Sequence, residues 1–193
     1  MVKGISTTWW IVIGVVVVLL FWVVGSYNGF VTADQNINGK WSEVENQYQR
    51  QANLIPNLVS TVSSAVSVET KFVKDVIAAR TAWLNAATIG EKDKAGVGLF
   101  NSLSAFVATA ENYPQLKANT QYVALTDELV GTQNRITVAR GEYIKAIQYF
   151  NTKVLKFPGK IIAGIFGFEQ KEYYQADLSA MTTPSLGTGQ LPQ

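Results

Sequence analysis

Residues 9–24 read WWIVIGVVVVLLFWVV and decide how this chain is built. The stretch is sixteen residues without a charged, hydroxyl or amide side chain, interrupted only by Gly14. Extended to residues 5–27 it has about 23 residues, which at about 1.5 Å per residue spans the roughly 30 Å hydrocarbon core of a bilayer. Backbone polar groups cannot stay unpaired in lipid, so the segment is predicted to be a transmembrane helix.

The ends of this helix carry aromatic residues, which favour the membrane interface: Trp9 and Trp10 at one end, Trp22 and Tyr27 at the other. The alternatives are a cleaved signal peptide and a buried core helix. The stretch is longer than the apolar part of a usual signal peptide, and residues 23–25 form a poor cleavage site. The sequence therefore predicts a single-pass membrane anchor.

The orientation of this anchor rests on few charges. Lys3 and the α-amine precede the helix, whereas Asp34 and Lys40, the first charges after it, cancel. The positive-inside rule then predicts a cytoplasmic N-terminus and a helical domain on the other side.

The composition excludes several classes of chemistry. The 193 residues carry 16 Lys+Arg and 14 Asp+Glu but no His and no Cys. Ser-His-Asp triads, cysteine nucleophiles, disulfides, Cys/His zinc sites and Glu-x-x-His di-iron sites are therefore excluded. The net charge of +2 is too small to indicate a nucleic-acid partner. We expect no enzyme, no catalytic residue, no cofactor and no metal site.

Beyond Lys40, apolar residues recur every seven positions, as in amphipathic helices. One series is Trp41, Tyr48, Ile55, Val62, Val76 and Trp83, interrupted by Glu69; a shorter one is Leu99, Leu103, Phe106, Ala110 and Tyr113; the last is Tyr122, Leu129, Ile136, Tyr143, Phe150 and Phe157. The predicted class is all-α: an antiparallel bundle of three long helices plus a short C-terminal helix, preceded by the transmembrane helix.

Prolines, glycines and caps set the predicted boundaries. Pro56 is expected to kink the first long helix, and Pro114 to end or kink the second. The three glycines among residues 88–98 predict a loop. Asn119 is a candidate cap of the third helix.

The C-terminal region gives the remaining boundaries. Residues 169–177 predict a short polar helix, and residues 179–193, uncharged and rich in Gly, Thr and Pro, a flexible tail. The predicted domains are 1–30 (terminal tail and transmembrane helix), 31–178 (helical bundle) and 179–193 (tail).

Four charges lie on or beside the core stripes: Glu69, Arg80, Glu128 and Arg140. Unpaired buried charge is costly, so interhelical pairs such as Glu69–Arg140 or Glu128–Arg80 are one interpretation. The other is that the stems pack and the charged heads reach solvent.

Residues 145–168 form a second candidate surface. No acid lies between Glu142 and Glu169, and the stretch is basic and aromatic. Its candidate membrane-surface residues are Lys153, Lys156, Lys160, Phe166 and Phe168. Alternatively, the lysines interact with the C-terminus of a helix. The membrane interpretation requires that the third long helix return to the bilayer.

An ordered set of short motifs carries a family resemblance. After the membrane span come Trp41, RQANLIPNLV (50–59), Ala79-Arg80, ENYPQLKA (111–118), Glu128, Asn134-Arg135-Ile136, Ala139-Arg140, Tyr149-Phe150-Asn151, Phe157-Pro158 and Phe166-Gly167-Phe168. The chain resembles the bacterial LemA family from the span to about residue 174.

This resemblance implies an α-helical bundle tethered to the bacterial cytoplasmic membrane, without an established catalytic residue or cofactor. It implies an N-terminus outside the cell and a cytoplasmic domain, opposite to the charge count. Some members are encoded beside membrane proteases, which suggests such a protease or another membrane protein as a partner.

The leading hypothesis is thus a non-enzymatic, membrane-anchored scaffold that contacts the lipid bilayer and self-associates as a homo-oligomer. The alternative is a membrane-remodelling or lipid-binding protein that uses residues 145–168. An enzyme acting through the Glu and Arg residues is the least favoured hypothesis.

Overall fold

The computed structural model describes residues 7–65, 70–110 and 112–173, and every regular element in them is a helix. The helices are α1 (Thr7–Ala65), α2 (Thr70–Asn85), α3 (Ile89–Ala110), α4 (Pro114–Lys117), α5 (Thr120–Leu155) and α6 (Gly159–Phe166). The predicted all-α class is confirmed. The predicted tail at residues 179–193 lies outside the described residues.

The described residues group into two compact units. The first combines α1 up to Ser42 with Arg140–Tyr173, and the second comprises Glu43–Ala139. Each of the two longest helices, α1 and α5, contributes residues to both units.

The series from Trp41 to Trp83, which predicts a single first long helix, is divided between α1 and α2, so that prediction is wrong. The rings of Tyr48 on α1 and Trp83 on α2 lie 6.0 Å apart between centroids. In one continuous helix these residues would be separated by about 50 Å. The seven-residue series continues through both helices because each of them buries an apolar stripe. Its interruption at Glu69 was the sequence signal for a change of helix. Glu69 itself lies outside the described residues.

Pro56 is accommodated inside α1 by a side chain of α2. A proline has no N–H, so the carbonyl oxygen of Ala52, four residues earlier, loses its helical donor. Arg80 Nε donates to that oxygen at 2.9 Å. The half-buried guanidinium therefore replaces the missing backbone bond and fixes α2 against α1 at this position.

The loop predicted at residues 88–98 is also wrong, because α3 begins at Ile89. A capping box starts it: Thr88 Oγ1 accepts from the Glu91 N–H at 3.2 Å, and Glu91 Oε2 accepts from the N–H groups of Ala87 and Thr88 at 3.0 Å. These bonds hold the pKa of Glu91 below its ordinary value. The Thr-x-x-Glu pattern of this capping box is present in the sequence at residues 88–91, but the three glycines of the segment favoured the prediction of a loop.

One glycine of α3, Gly96, has a packing role instead. A Cβ at Gly96 would collide with the ring of Tyr48, so the absent side chain lets α3 approach α1 there. Lys92 adds an ion pair with Glu45, and its ammonium lies 5.2 Å from the centre of the Trp83 ring.

The predicted cap of the third long helix is confirmed. Asn119 Oδ1 accepts a hydrogen bond from the Tyr122 N–H at 3.0 Å at the start of α5. Along α5, the apolar series is buried from Tyr122 to Phe150. The short C-terminal helix lies at Gly159–Phe166, not within residues 169–177, of which 169–173 are described and are not helical.

We predict that Arg80→Leu lowers the free energy of unfolding by about 1–3 kcal/mol, because the Ala52 carbonyl then lacks a partner. The loss should shrink in a Pro56→Ala background, where residue 56 regains its N–H. Urea denaturation of the full-length chain in detergent, followed by circular dichroism, measures this double-mutant cycle.

Lys74→Leu, at an exposed position on α2, is the matched control and should change stability little. An equal cost of Arg80→Leu in both backgrounds would contradict the assignment of Arg80 to the carbonyl that Pro56 leaves without a donor.

Candidate membrane-contact surface

In the first unit, the end of α5 returns to the part of α1 that directly follows the apolar stretch. An aromatic cluster of Phe30, Phe150 and Phe168 joins them, with ring centroids 6.1 Å apart for Phe30–Phe150 and 4.9 Å apart for Phe30–Phe168. Phe30 and Phe150 are fully buried. The third long helix therefore ends beside the part of α1 that follows the predicted span.

The short helix α6 packs at the same level of α1. The Phe166 ring lies 4.9 Å from that of Tyr27, and a Cβ built on Gly159 would lie 3.4 Å from the Phe30 ring. Both ends of α6 thus meet α1 within one helical turn. Tyr27 is also a predicted interface residue, so α6 lies where the predicted span ends.

Gly167 and the segment after it complete the cluster. Gly167 adopts a left-handed conformation (φ 74°), and the Phe168 N–H donates to the Ala163 carbonyl at 3.0 Å. This ends α6 and directs Phe168 back to the aromatic cluster. Phe168 is half-buried, and its ring packs against those of Phe30 and Phe150.

Asn151 and Asp34 hold residue 171 against the two helices. The buried Asn151 amide donates to the Lys171 carbonyl and accepts from its N–H, both at 2.8 Å. The Lys171 ammonium pairs with Asp34 at 2.8 Å and lies 5.7 Å from the Phe150 ring centre. Sequence reasoning missed this arrangement, since a side-chain amide twenty residues away gives no periodic signal.

The same region also exposes apolar side chains, which we call the exposed apolar face. It consists of Leu155, Phe157, Ile161 and Ile165, which are 54%, 81%, 50% and 68% exposed. The prediction that Phe157 continues the core series is wrong: α5 ends at Leu155, so helical periodicity no longer directs Phe157 inward. Ile162 and Ala163 are the buried residues of α6, so the helix is apolar on both sides.

The basic stretch divides into paired and unpaired lysines. Lys145 pairs with Glu142 at 2.8 Å, which lowers the pKa of that carboxyl. Lys153, Lys156 and Lys160, the lysine cluster, form no ion pair with any described residue. The Lys153 ammonium lies 4.7 Å from the centre of the Phe30 ring, and desolvation by burial lowers its pKa.

The predicted interface residues all lie on α1. Trp9 and Trp10 are strongly exposed, and Trp22 and Tyr27 are about 38–39% exposed. The apolar window of α1 is long enough to cross a membrane, and none of it is buried. A buried core helix is therefore not what α1 forms in this part of the chain.

The four candidate interhelical charges have different environments. Glu128 pairs with Arg50 at 2.9 Å and with Arg135 at 3.0 Å, whereas Arg80 binds the Ala52 carbonyl. The Glu128–Arg80 pairing is therefore not the one formed. Arg140 is half-buried, and Glu69 lies outside the described residues. Within the described ranges, no group of three His, Cys, Asp or Glu is placed to hold a metal ion.

Comparison with known proteins gives one family and several relatives. The model of the LemA family matches residues 40–186. Magnetosome proteins MamQ 1 and MamQ 2 of Paramagnetospirillum magneticum are each 27% identical, over 86% of this chain and 72% of theirs. MamQ of Magnetospirillum gryphiswaldense is 25% identical with the same coverage.

We predict that Asn151→Ala releases the segment at Lys171, because the N–H and carbonyl of Lys171 lose their partner, at a cost of about 0.5–1.5 kcal/mol each. Trypsin should then cleave after Lys171 faster than in the unchanged protein. Asn134→Ala, at an exposed position on the same helix, is the matched control. Equal cleavage rates in both variants would show that Asn151 does not hold this segment.

Proposed function

Since this chain belongs to the LemA family, we propose that it is a non-catalytic, membrane-anchored helical scaffold, which self-associates and binds other membrane proteins. We place its single span in the bacterial cytoplasmic membrane. The curated relatives are named for a cellular structure, the magnetosome, and not for a reaction, which supports a scaffold over an enzyme.

One observation carries this proposal: α5 and α6 pack on α1 at the end of the predicted span, through Tyr27–Phe166 and the aromatic cluster. The span, the end of α5 and α6 thus belong to the same unit. Within the first unit, helices packed in this way keep a fixed distance from the end of the span, as a scaffold for membrane partners requires.

Protease digestion of intact and opened cells determines the side of the membrane on which the helical domain lies. Digestion in intact cells places the domain outside, as the charge count predicts. Protection until the cells are opened places it in the cytoplasm, as the family resemblance implies.

Exposed valines on α5 support self-association. Val130 and Val138 are 63% and 67% exposed, and Val123 is 40% exposed, along one side of the helix. Apolar side chains in such a row are typical of helices that pack against another helix.

We predict that the detergent-extracted chain has a mass above that of one 21.2 kDa copy in light scattering. Val130→Glu combined with Val138→Glu should reduce the mass, because charged residues resist burial in an interface. Gln121→Glu, at another exposed position on α5, is the control. A monomeric mass at every concentration would contradict self-association.

The exposed apolar face favours a second function, binding to the membrane surface. We propose that α6 lies in the headgroup region with Phe157, Ile161 and Ile165 directed into the acyl chains. Each such side chain contributes about 1.5–3 kcal/mol when fully transferred from water. This face is next to the predicted span, so the bilayer is the apolar phase within its reach.

We predict that an environment-sensitive fluorophore at Ile165→Cys, the sole cysteine in the chain, is quenched by lipids brominated on their acyl chains. Ile161→Glu should reduce the quenching by opposing insertion of α6. The same fluorophore at Thr137→Cys, exposed in the second unit, tests for non-specific quenching. Emission typical of water from Ile165→Cys in liposomes would contradict insertion.

A further inference from the structure

Resting on the proposed binding to the membrane surface, we propose that Lys153, with Lys156 and Lys160, binds the phosphate of an anionic lipid headgroup beside Gly29 on α1. This assigns a ligand class to the lysine cluster and a role to one glycine of α1.

Gly29 provides the space that the Lys153 ammonium uses. A Cβ at Gly29 would collide with Lys153 Nζ, whereas Gly14, Gly25 and Gly39, the other glycines of α1, have nothing within 4 Å. The absent side chain at residue 29 therefore lets the ammonium lie directly against the helix. Phe30, the next residue, presents its ring to the same ammonium at 4.7 Å.

The lysines of the first unit differ in whether they have an anionic partner. Lys145 has Glu142 and Lys171 has Asp34. Among the described residues, no carboxylate lies within ion-pairing distance of these three lysines, and none of their ammonium groups donates to a carbonyl. Direct hydrogen bonds to the α5 carbonyls are therefore not formed, although Lys153 lies in the last turn of α5, where the helix dipole favours a cation.

The position of Gly29 matches the depth of lipid phosphates. It lies two residues beyond Tyr27, where the predicted span ends, and therefore about 3 Å further along the helix. The headgroup region adds about 5–8 Å to each side of the hydrocarbon core. The Lys153 ammonium is thus at the level where anionic headgroups are available.

Partial burial of the Lys153 ammonium favours the binding of an anion. Lys153 is desolvated without a counter-charge, which costs free energy in the protein alone. A phosphate oxygen within reach of Nζ would restore a charged partner, and the exposed Lys156 and Lys160 would attract the same headgroup. Each lysine near an anionic surface strengthens such binding by about fivefold.

The test compares Gly29→Ala with Gly25→Ala in the full-length chain. Each protein is reconstituted in nanodiscs with equal phosphatidylglycerol and phosphatidylcholine, and the lipids that it retains are counted by native mass spectrometry. The unchanged protein and Gly25→Ala should retain phosphatidylglycerol preferentially. Gly29→Ala, which displaces only the flexible end of Lys153, should lose about fivefold of this preference.

Lys153→Gln removes the charge without altering α1 and should give the same loss, with an unchanged circular dichroism spectrum. Equal retention of both lipids by the unchanged protein, or full preference in Gly29→Ala and Lys153→Gln, would overturn the inference. Displacement of the lipid by millimolar inorganic phosphate would also overturn it, since the site would then select free phosphate.

The quenching experiment on α6 separates this inference from the proposed function. If α6 inserts but phosphatidylglycerol is not preferred, only the headgroup site fails. If the fluorophore at Ile165→Cys stays in water, binding to the membrane surface fails as well.

Discussion

The packing of α5 and α6 against α1 at the end of the predicted span is the constraint on which the rest of this account depends. Phe30, Phe150 and Phe168 form its centre, and Tyr27 extends it to α6. Removal of these rings from water supplies the driving force, and their tilted and stacked geometry adds specificity. The cluster brings the exposed apolar face and the lysine cluster to one end of α1.

The region of α6 and the lysine cluster combines two features that are unusual in a soluble domain. A soluble domain covers an apolar helix or places charge on its outer side, but α6 keeps isoleucines on both sides. Unpaired lysines beside an apolar face are likewise expensive in a protein core and ordinary at a lipid surface. The proposed location at the boundary between acyl chains and headgroups would accommodate both features.

The sequence predicts the helical class well because burial repeats every seven residues along α1, α2 and α5. Asn119 was also identifiable, since an amide before an apolar series is a typical cap. Two predictions were wrong because two signals pointed to different structures. The glycines of α3 indicated a loop where the Thr88–Glu91 capping box starts a helix. The apolar series common to α1 and α2 indicated one helix where there are two.

The membrane-contact surface was only partly predictable. The lysines were recognisable from the lack of acids around them, but their proximity to Gly29 depends on which helices pack together. Phe157 continues the apolar series in the sequence and leaves the core only because α5 ends two residues earlier. The Asn151–Lys171 contact and the donation from Arg80 to Ala52 depend on side chains meeting in three dimensions, which periodicity does not encode.

The most direct test of this account is the distance between α6 and the end of the span in a membrane. The chain has no cysteine, so spin labels at Asn28→Cys and Ile165→Cys, both at exposed positions, report this distance alone. The account predicts strong dipolar broadening in liposomes relative to the two singly labelled chains. A spectrum equal to the sum of the single-label spectra would show that α6 is not held against α1, and would contradict the central claim.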